Sequence, residues 1–381
     1  MRAAQWSPVT KRIVVLLLLA AAVYVIYRVG DIVRPFIWAA VLSYVLLPLV
    51  RLIELRVIHH RGAAAAIVFL GLLALIASGT RVLVPLVMEQ MTMFQRSLPE
   101  LVSNAQNTIV ESLNQLGMGD VQPLVFGPAG NAPVEFTRNA ANFAVPFIVG
   151  LGHFLLEFLI FLIATFFLLR DWPRLIAWIG RLAPRRYRHE LVPLGQQVNV
   201  LLGRYVRGQL VLIVIMWVVT TIGLTAFGVP FSFLLGFMTG LLEIIPIIGP
   251  ITAGAIASLV ALGHPNPFGW SQLIYVAAIA IMYTILRHAE DYFVIPLVIG
   301  RIVRLHPAVV IFALLGGGAL FGLIGVLLAV PVAATGRLVL IYVSAKLRDE
   351  DPYPRLEEEL ATTAEGGPAA DPRPIRPATH S

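Results

Sequence analysis

The chain has no cysteine in 381 residues. That excludes disulfides, iron–sulfur clusters and thiol nucleophiles. Charge is scarce as well: Asp, Glu, Lys and Arg make up 13% of the residues, against about 25% in a soluble domain. Catalytic signatures are missing. There is no His-Glu-x-x-His, no Gly-x-Ser-x-Gly and no Walker-type Gly-Lys-Ser/Thr loop. The eight histidines are scattered without metal-ligand spacing, apart from the adjacent pair His59-His60. These absences point away from an enzyme, a metal site, a bound cofactor and an ATP-driven pump.

What the chain has in excess is apolar sequence, 58% of the residues, gathered in long blocks. A spanning helix needs roughly 20 such residues. The blocks are 13–27, 35–53, 62–87, 143–169, 210–227, 231–262, 271–286 and 308–343. Arg2, Lys11 and Arg12 precede the first block in the manner of a signal peptide. No polar cleavage region follows, so that block reads as an uncleaved span, with Arg28 snorkelling to the interface. The expected fold is all-α: a polytopic membrane helix bundle with broken helices or hairpins and a small amphipathic extramembrane insert.

The net charge is +7, and most arginines flank apolar blocks, as the positive-inside rule requires. No basic patch interleaves with aromatics, which argues against nucleic acid. The loop holding Arg51, Arg56 and Arg61 is expected to be cytoplasmic. Residues 88–141 are net negative and fit the outer side. Within them Leu98, Leu101, Val102, Ala105, Ile109, Leu113 and Leu116 mark one face of an amphipathic helix. Residues 171–208 are strongly basic and fit the cytoplasmic face, where Leu175, Ile176, Ile179 and Leu182 form a lipid-facing stripe. Asp171 followed by Pro173 predicts a helix start there. The divisions expected are 1–87, 88–141, 142–170, 171–208, 209–346 and a charged, Pro/Gly-rich tail at 347–381 expected to be disordered.

The blocks 231–262 and 308–343 are too long for single spans. Glu243 to Pro250 interrupts the first with two prolines and a glycine, which break a helix. Gly316, Gly317, Gly318, Gly322, Gly325 and Pro331 interrupt the second. Treating both as hairpins, one inserted from each side, puts every basic loop and both termini in the cytoplasm. Residues 234–252 and 314–332 both open Leu-Leu-Gly, hinting at the internal repeats of transporter folds.

Glu243 stands out among the ionisable residues. A charge near the bilayer centre costs about 2.5–3.5 kcal/mol, and this one adjoins a helix break. Two readings are open: a substrate, ion or proton site, or a carboxylate that caps the break or pairs with a buried arginine. The candidate binding set is Glu243, Pro246, Gly249 and Pro250 from one broken segment, facing Gly317, Gly318, Gly322 and Gly325 from the other. His153 and Glu157 share a helix face four residues apart, as a relay or a structural hydrogen bond. Glu290 and Asp291 are expected at the interface, paired with Arg287.

Several stretches together resemble the AI-2E (autoinducer-2 exporter) transporter family. They are Arg34-Pro-Phe-Ile-Trp-Ala-Ala40 with Pro48, Tyr205-Val-Arg-Gly-Gln209, Leu242-Glu-Ile-Ile-Pro-Ile-Ile-Gly-Pro250, Pro296 to Gly300 leading to Leu305-His-Pro307, and Gly317 to Gly325 with Pro331. The resemblance covers about residues 10–345. It implies a bacterial inner-membrane permease without its own ATPase. It further implies export of autoinducer-2 or sodium–proton antiport, and a homo-oligomer of pentameric form. It adds Arg207 and Gln209 to the candidate residues. Family members often carry Glu-Asn or Glu-Gly where this chain has Glu290-Asp291, an added negative charge. The implied partners are a small-molecule solute or cation and membrane lipid. Three functions follow for testing: a permease working by alternating access, a Na+(Li+)/H+ antiporter using Glu243, and a non-transporting membrane scaffold.

Overall fold

The computed structural model describes residues 30–115, 151–246, 248–298 and 305–350. The first apolar block, the distal half of the insert, the start of the fourth block and the tail after 350 lie outside the described residues. Among the described residues every regular element is a helix. They are α1 (Gly30–Arg56), α2 (Arg61–Gln115), α3 (Leu151–Leu182), α4 (Arg188–Ala226), α5 (Ser232–Leu242), α6 (Ile248–Leu262), α7 (Gln272–Ala289), a π turn (Glu290–Val294), α8 (Ile295–Val298) and α9 (Pro307–Leu347). Five helical stretches among them are long and apolar enough to cross a membrane. Their outward faces carry exposed Leu75, Ile222, Ile274 and Phe312. Monomeric soluble proteins rarely expose so much contiguous apolar surface. The protein is a membrane helix bundle.

The third apolar block and the amphipathic stretch after it form one helix. α2 runs for 55 residues, about 80 Å at 1.5 Å per residue, well beyond a hydrocarbon core of roughly 30 Å. Its distal half buries Leu98, Leu101, Val102, Ala105 and Val110. That face rests on the far end of the α5–α6 pair. Asn104 Nδ2 donates to the Gly263 carbonyl at 3.3 Å, and Leu101 shares a buried cluster with Leu235, Val260, Tyr275 and Ile279.

Asp171–Pro173 starts no helix, because α3 runs through it to Leu182. Pro173 has no N–H for the carbonyl four residues back, that of Leu169. Arg61 supplies the missing donor: its Nη2 reaches the Leu169 oxygen at 3.1 Å and its Nε the Arg170 oxygen at 2.9 Å. The same device recurs in α1. Pro48 orphans the Tyr44 carbonyl, and Arg207 Nη1 from α4 donates to it at 3.1 Å. Tyr44 also donates its hydroxyl to Asn199 at 3.0 Å and sets its ring edge-on to Trp172.

Both long broken blocks fold back on themselves. Leu235, near the start of α5, shares a cluster with Ala257, Val260 and Ala261 near the end of α6. At the other end Gly249 presses on the Leu242 carbonyl, where a Cβ would sit 1.9 Å from the oxygen. The two helices are thus antiparallel, with the turn that begins at Glu243 as the tip. In α9, Gly322 has φ 61° and ψ −138°, open only to glycine. Gly317 lies against the backbone of Gly325. Eight residues apart, they would be separated by about 12 Å in a straight helix, so the chain reverses between them. The α5 arm is held to α4 by Gly236 and Gly240. A Cβ on either would lie 2.1 Å from Thr221 Oγ1 or 2.5 Å from the Ile213 carbonyl oxygen.

Candidate functional site

α5 ends at Leu242, and the next residue, Glu243, begins the tip. Two turn bonds shape it: Ile244 N–H to the Leu241 oxygen and Ile245 N–H to the Leu242 oxygen. Pro246 prevents helical continuation. The backbone carbonyl of Glu243 is claimed by Gln209 of α4, whose Nε2 donates at 3.1 Å. Gln209 is itself buried, so this carbonyl is satisfied by an amide side chain from another helix.

The Glu243 side chain turns toward α7. Arg287 Nη1 donates to its Oε1 at 3.0 Å and to Glu290 Oε2 at 3.2 Å. Arg287 Nη2 meets Asp291 Oδ1 at 2.9 Å. One guanidinium thus holds three carboxylates. Two of them are sealed from solvent, with Glu243 and Glu290 side chains 4% and 1% exposed. Asp291 is 44% exposed. Glu290 and Asp291 sit at i+3 and i+4 from Arg287, the spacing that lets side chains meet on one helix face. The π turn begins at Glu290, and Ile295 N–H bonds back to the Glu290 oxygen. Such single-turn π insertions recur at functional sites.

The surroundings are apolar. Ile244 at the tip belongs to a buried cluster with Val41 of α1, Val206 of α4 and Leu327 of α9. The tip of the first hairpin and the second arm of the other therefore pack into one core. Close by, Thr239 Oγ1 and Tyr283 Oη lie 3.0 Å apart. A charged group in such a place needs a partner, because unpaired it would be strongly disfavoured.

The predicted residues divide into three groups. Glu243, Gln209, Glu290 and Asp291 converge on Arg287 or on the Glu243 backbone. Gly249 lies on Leu242, Pro250 sits in the first turn of α6, and Pro246 breaks the helix. Gly317, Gly318, Gly322 and Gly325 shape the other hairpin: Gly317 and Gly325 meet each other, and Gly318 meets the Val326 side chain. Glu290 is buried within the protein and paired with Arg287. Helix α7 runs on past Arg287 through the π turn into α8. Arg207 serves the Tyr44 carbonyl. Glu157 lies on α3, and the His153 side chain lies outside the described residues. Sequence reasoning passed over Arg287 as the hub, and Gly236 and Gly240 as the packing face. The Gly-x-x-x-Gly spacing was a readable signal for the latter.

A buried ionic cluster at the tip of a broken hairpin, in a bundle that packs two such hairpins, resembles the discontinuous helices of transporter folds. The family model described as AI-2E family transporter matches residues 13–343. The chain belongs to the AI-2E transporter family. "Putative transport protein YueF" of Bacillus subtilis is 25% identical over 339 residues, covering 85% of this chain and 87% of that protein. "Putative permease PerM" of Escherichia coli K12 is 24% identical over 336 residues, covering 86% and 92%. "Putative transport protein YrrI" of Bacillus subtilis is 30% identical over 178 residues, spanning 47% of this chain and 48% of that protein. Members of the AI-2E family are named as transporters and permeases, which supports a transport role and a membrane location for this one.

Proposed function

We propose that the protein is a secondary transporter that moves a small polar solute or signal, such as autoinducer-2, outward by alternating access. The carrying observation is the Glu243–Arg287–Glu290 cluster, sealed at the tip of the α5–α6 hairpin. Charged groups inside a membrane bundle are kept where they serve a pathway or a partner. Here the cluster joins an element that ends at a break to one that is continuous. Pro246, Gly249 and Pro250 supply the break on one side; Gly317, Gly318, Gly322 and Gly325 supply the second bend. In this reading the protein sits in a bacterial inner membrane with both termini in the cytoplasm, in contact with lipid and assembled as a homo-oligomer, a pentamer by family resemblance. It performs no catalysis.

A second reading, Na+(Li+)/H+ antiport through Glu243, is favoured by one feature. Glu243 Oε2 and Glu290 Oε1 are buried acceptors without a hydrogen-bond partner. Reconstituted vesicles separate the two. Autoinducer-2 accumulation against its gradient that falls at least tenfold in Glu243→Gln supports the permease, and unchanged accumulation removes the carboxylate from the mechanism. Sodium- or lithium-driven collapse of a pH gradient supports the antiporter. Absence of both fluxes, with stable envelope partners recovered instead, would favour a scaffold.

A further inference from the structure

The cluster is unbalanced in a specific way. Arg287 brings one positive charge to two sealed carboxylates, and half-exposed Asp291 adds a third negative group. The guanidinium satisfies Glu243 Oε1 and Glu290 Oε2. That leaves Glu243 Oε2 and Glu290 Oε1, both buried and both without a donor. Both carboxyl groups accept from the same Arg287 nitrogen, at 3.0 and 3.2 Å, so they lie side by side in the site. What the site lacks is a donor, so an anion has nothing to gain there. Two carboxylates in one apolar site do not both stay ionised when a single proton can serve both. Arg287, Asp291, Glu243 and Glu290 are the charged groups that face one another. Gln209 meets Glu243 through its backbone carbonyl only, and His288 turns to the Thr284 carbonyl at 2.7 Å.

We propose that Glu243 and Glu290 share a single proton, and that Glu243 carries it away when the hairpin tip moves. This rests on the transport reading above and names its coupling species. The geometry assigns unequal roles to the two acids. Glu290 and Asp291 ride with Arg287 on one continuous helical segment, three and four residues on. Glu243 reaches Arg287 from a different element. Motion of the tip therefore breaks the Glu243–Arg287 pair and leaves the other two intact. A bare carboxylate leaving its guanidinium for an apolar core is strongly disfavoured, whereas a neutral carboxylic acid is not. The balance is simple. The shared proton stays on a Glu243 oxygen, the O–H···O contact to Glu290 breaks, and Glu290 remains a carboxylate on Arg287. On reaching water Glu243 gives the proton to solvent. The tip is free to move when Glu243 is neutral and held when it is ionised, which ties each excursion to a proton.

Infrared spectroscopy of the full-length protein in lipid nanodiscs tests this directly. At pH 7 the wild type should show the C=O stretch of one buried carboxylic acid, shifted on exchange into D2O. Glu243→Gln and Glu290→Gln should each abolish it, because the remaining acid then pairs with Arg287 as a carboxylate. Asp291→Asn should keep it. No band in the wild type overturns the proposal, and so does a band that survives Glu290→Gln, which would make the proton Glu243's own. Should an amide variant misfold, wild-type protein treated with a hydrophobic carbodiimide gives the second measurement. Modification at Glu243 or Glu290 but not both, up to one equivalent per chain, supports the shared proton; none, or two equivalents, overturns it. The outcome is separable from transport itself: flux without the band refutes the shared proton alone, and the band without flux refutes the transport reading alone.

Discussion

The Arg207–Tyr44 contact yields a sharp double-substitution test. Pro48 denies the Tyr44 carbonyl its helical N–H, and Arg207 supplies the donor from another helix at 3.1 Å. Arg207→Met should leave that half-buried oxygen unpartnered, at a cost of about 1–3 kcal/mol. Pro48→Ala restores a backbone N–H that can reach the Tyr44 oxygen. In that background Arg207→Met should cost far less, giving a coupling on the order of 1–2 kcal/mol between residues in contact. The neighbouring contacts supply a control. Tyr44→Phe removes the hydroxyl bond to Asn199 and leaves the carbonyl untouched, so its effect should be the same with or without Pro48. Reversible unfolding in mixed detergent micelles measures all these variants on one scale. If the costs of Arg207→Met and Pro48→Ala simply add, Arg207 is not the substitute donor and the explanation of both long-range contacts fails.

Four further outcomes are expected. Arg287→Met strands Glu243 and Glu290 without a counter-charge and should cost about 3–5 kcal/mol; adding Glu243→Gln and Glu290→Gln should recover most of it in the same unfolding assay. Gly249→Ala would place a methyl group 1.9 Å from the Leu242 oxygen, a backbone atom that cannot step aside. Overpacking of that kind costs about 1–3 kcal/mol or more, so folded yield by size exclusion should fall. Gly316, with open space around it, should accept alanine without loss. Arg61→Met should show the same dependence on Pro173 that Arg207 shows on Pro48, read by the same double substitution.

Much of this was legible in the sequence because membrane helices declare themselves by length and composition. The break at Glu243–Pro250 followed from two prolines and a glycine inside an apolar block, and the reversal in α9 falls within its glycine run. That Glu243 would need either a ligand or a buried arginine also followed from the cost of a lone charge in apolar surroundings. Which arginine could not be read, since Arg287 stands 44 positions away and only the fold brings it near. The same limit hid Arg207, 163 positions from Tyr44. The helix start expected at Asp171 failed for a related reason. A local stop signal at Pro173 was overridden by a tertiary donor, Arg61, that satisfies the freed carbonyl. α2 ran on past the expected boundary at 87 because the apolar block and the amphipathic stretch share the helical period, and the helix accommodates Pro85 and Pro99 within it.

The absence of native cysteine makes the central claim, that the tip carrying Glu243 moves during transport, open to direct test. Ile244→Cys paired with Leu327→Cys would join two residues of one buried cluster, tying the tip of the first hairpin to the second. With the disulfide confirmed by mass, flux in reconstituted vesicles should stop on oxidation and return on reduction. Undiminished flux through the cross-linked protein would contradict the account.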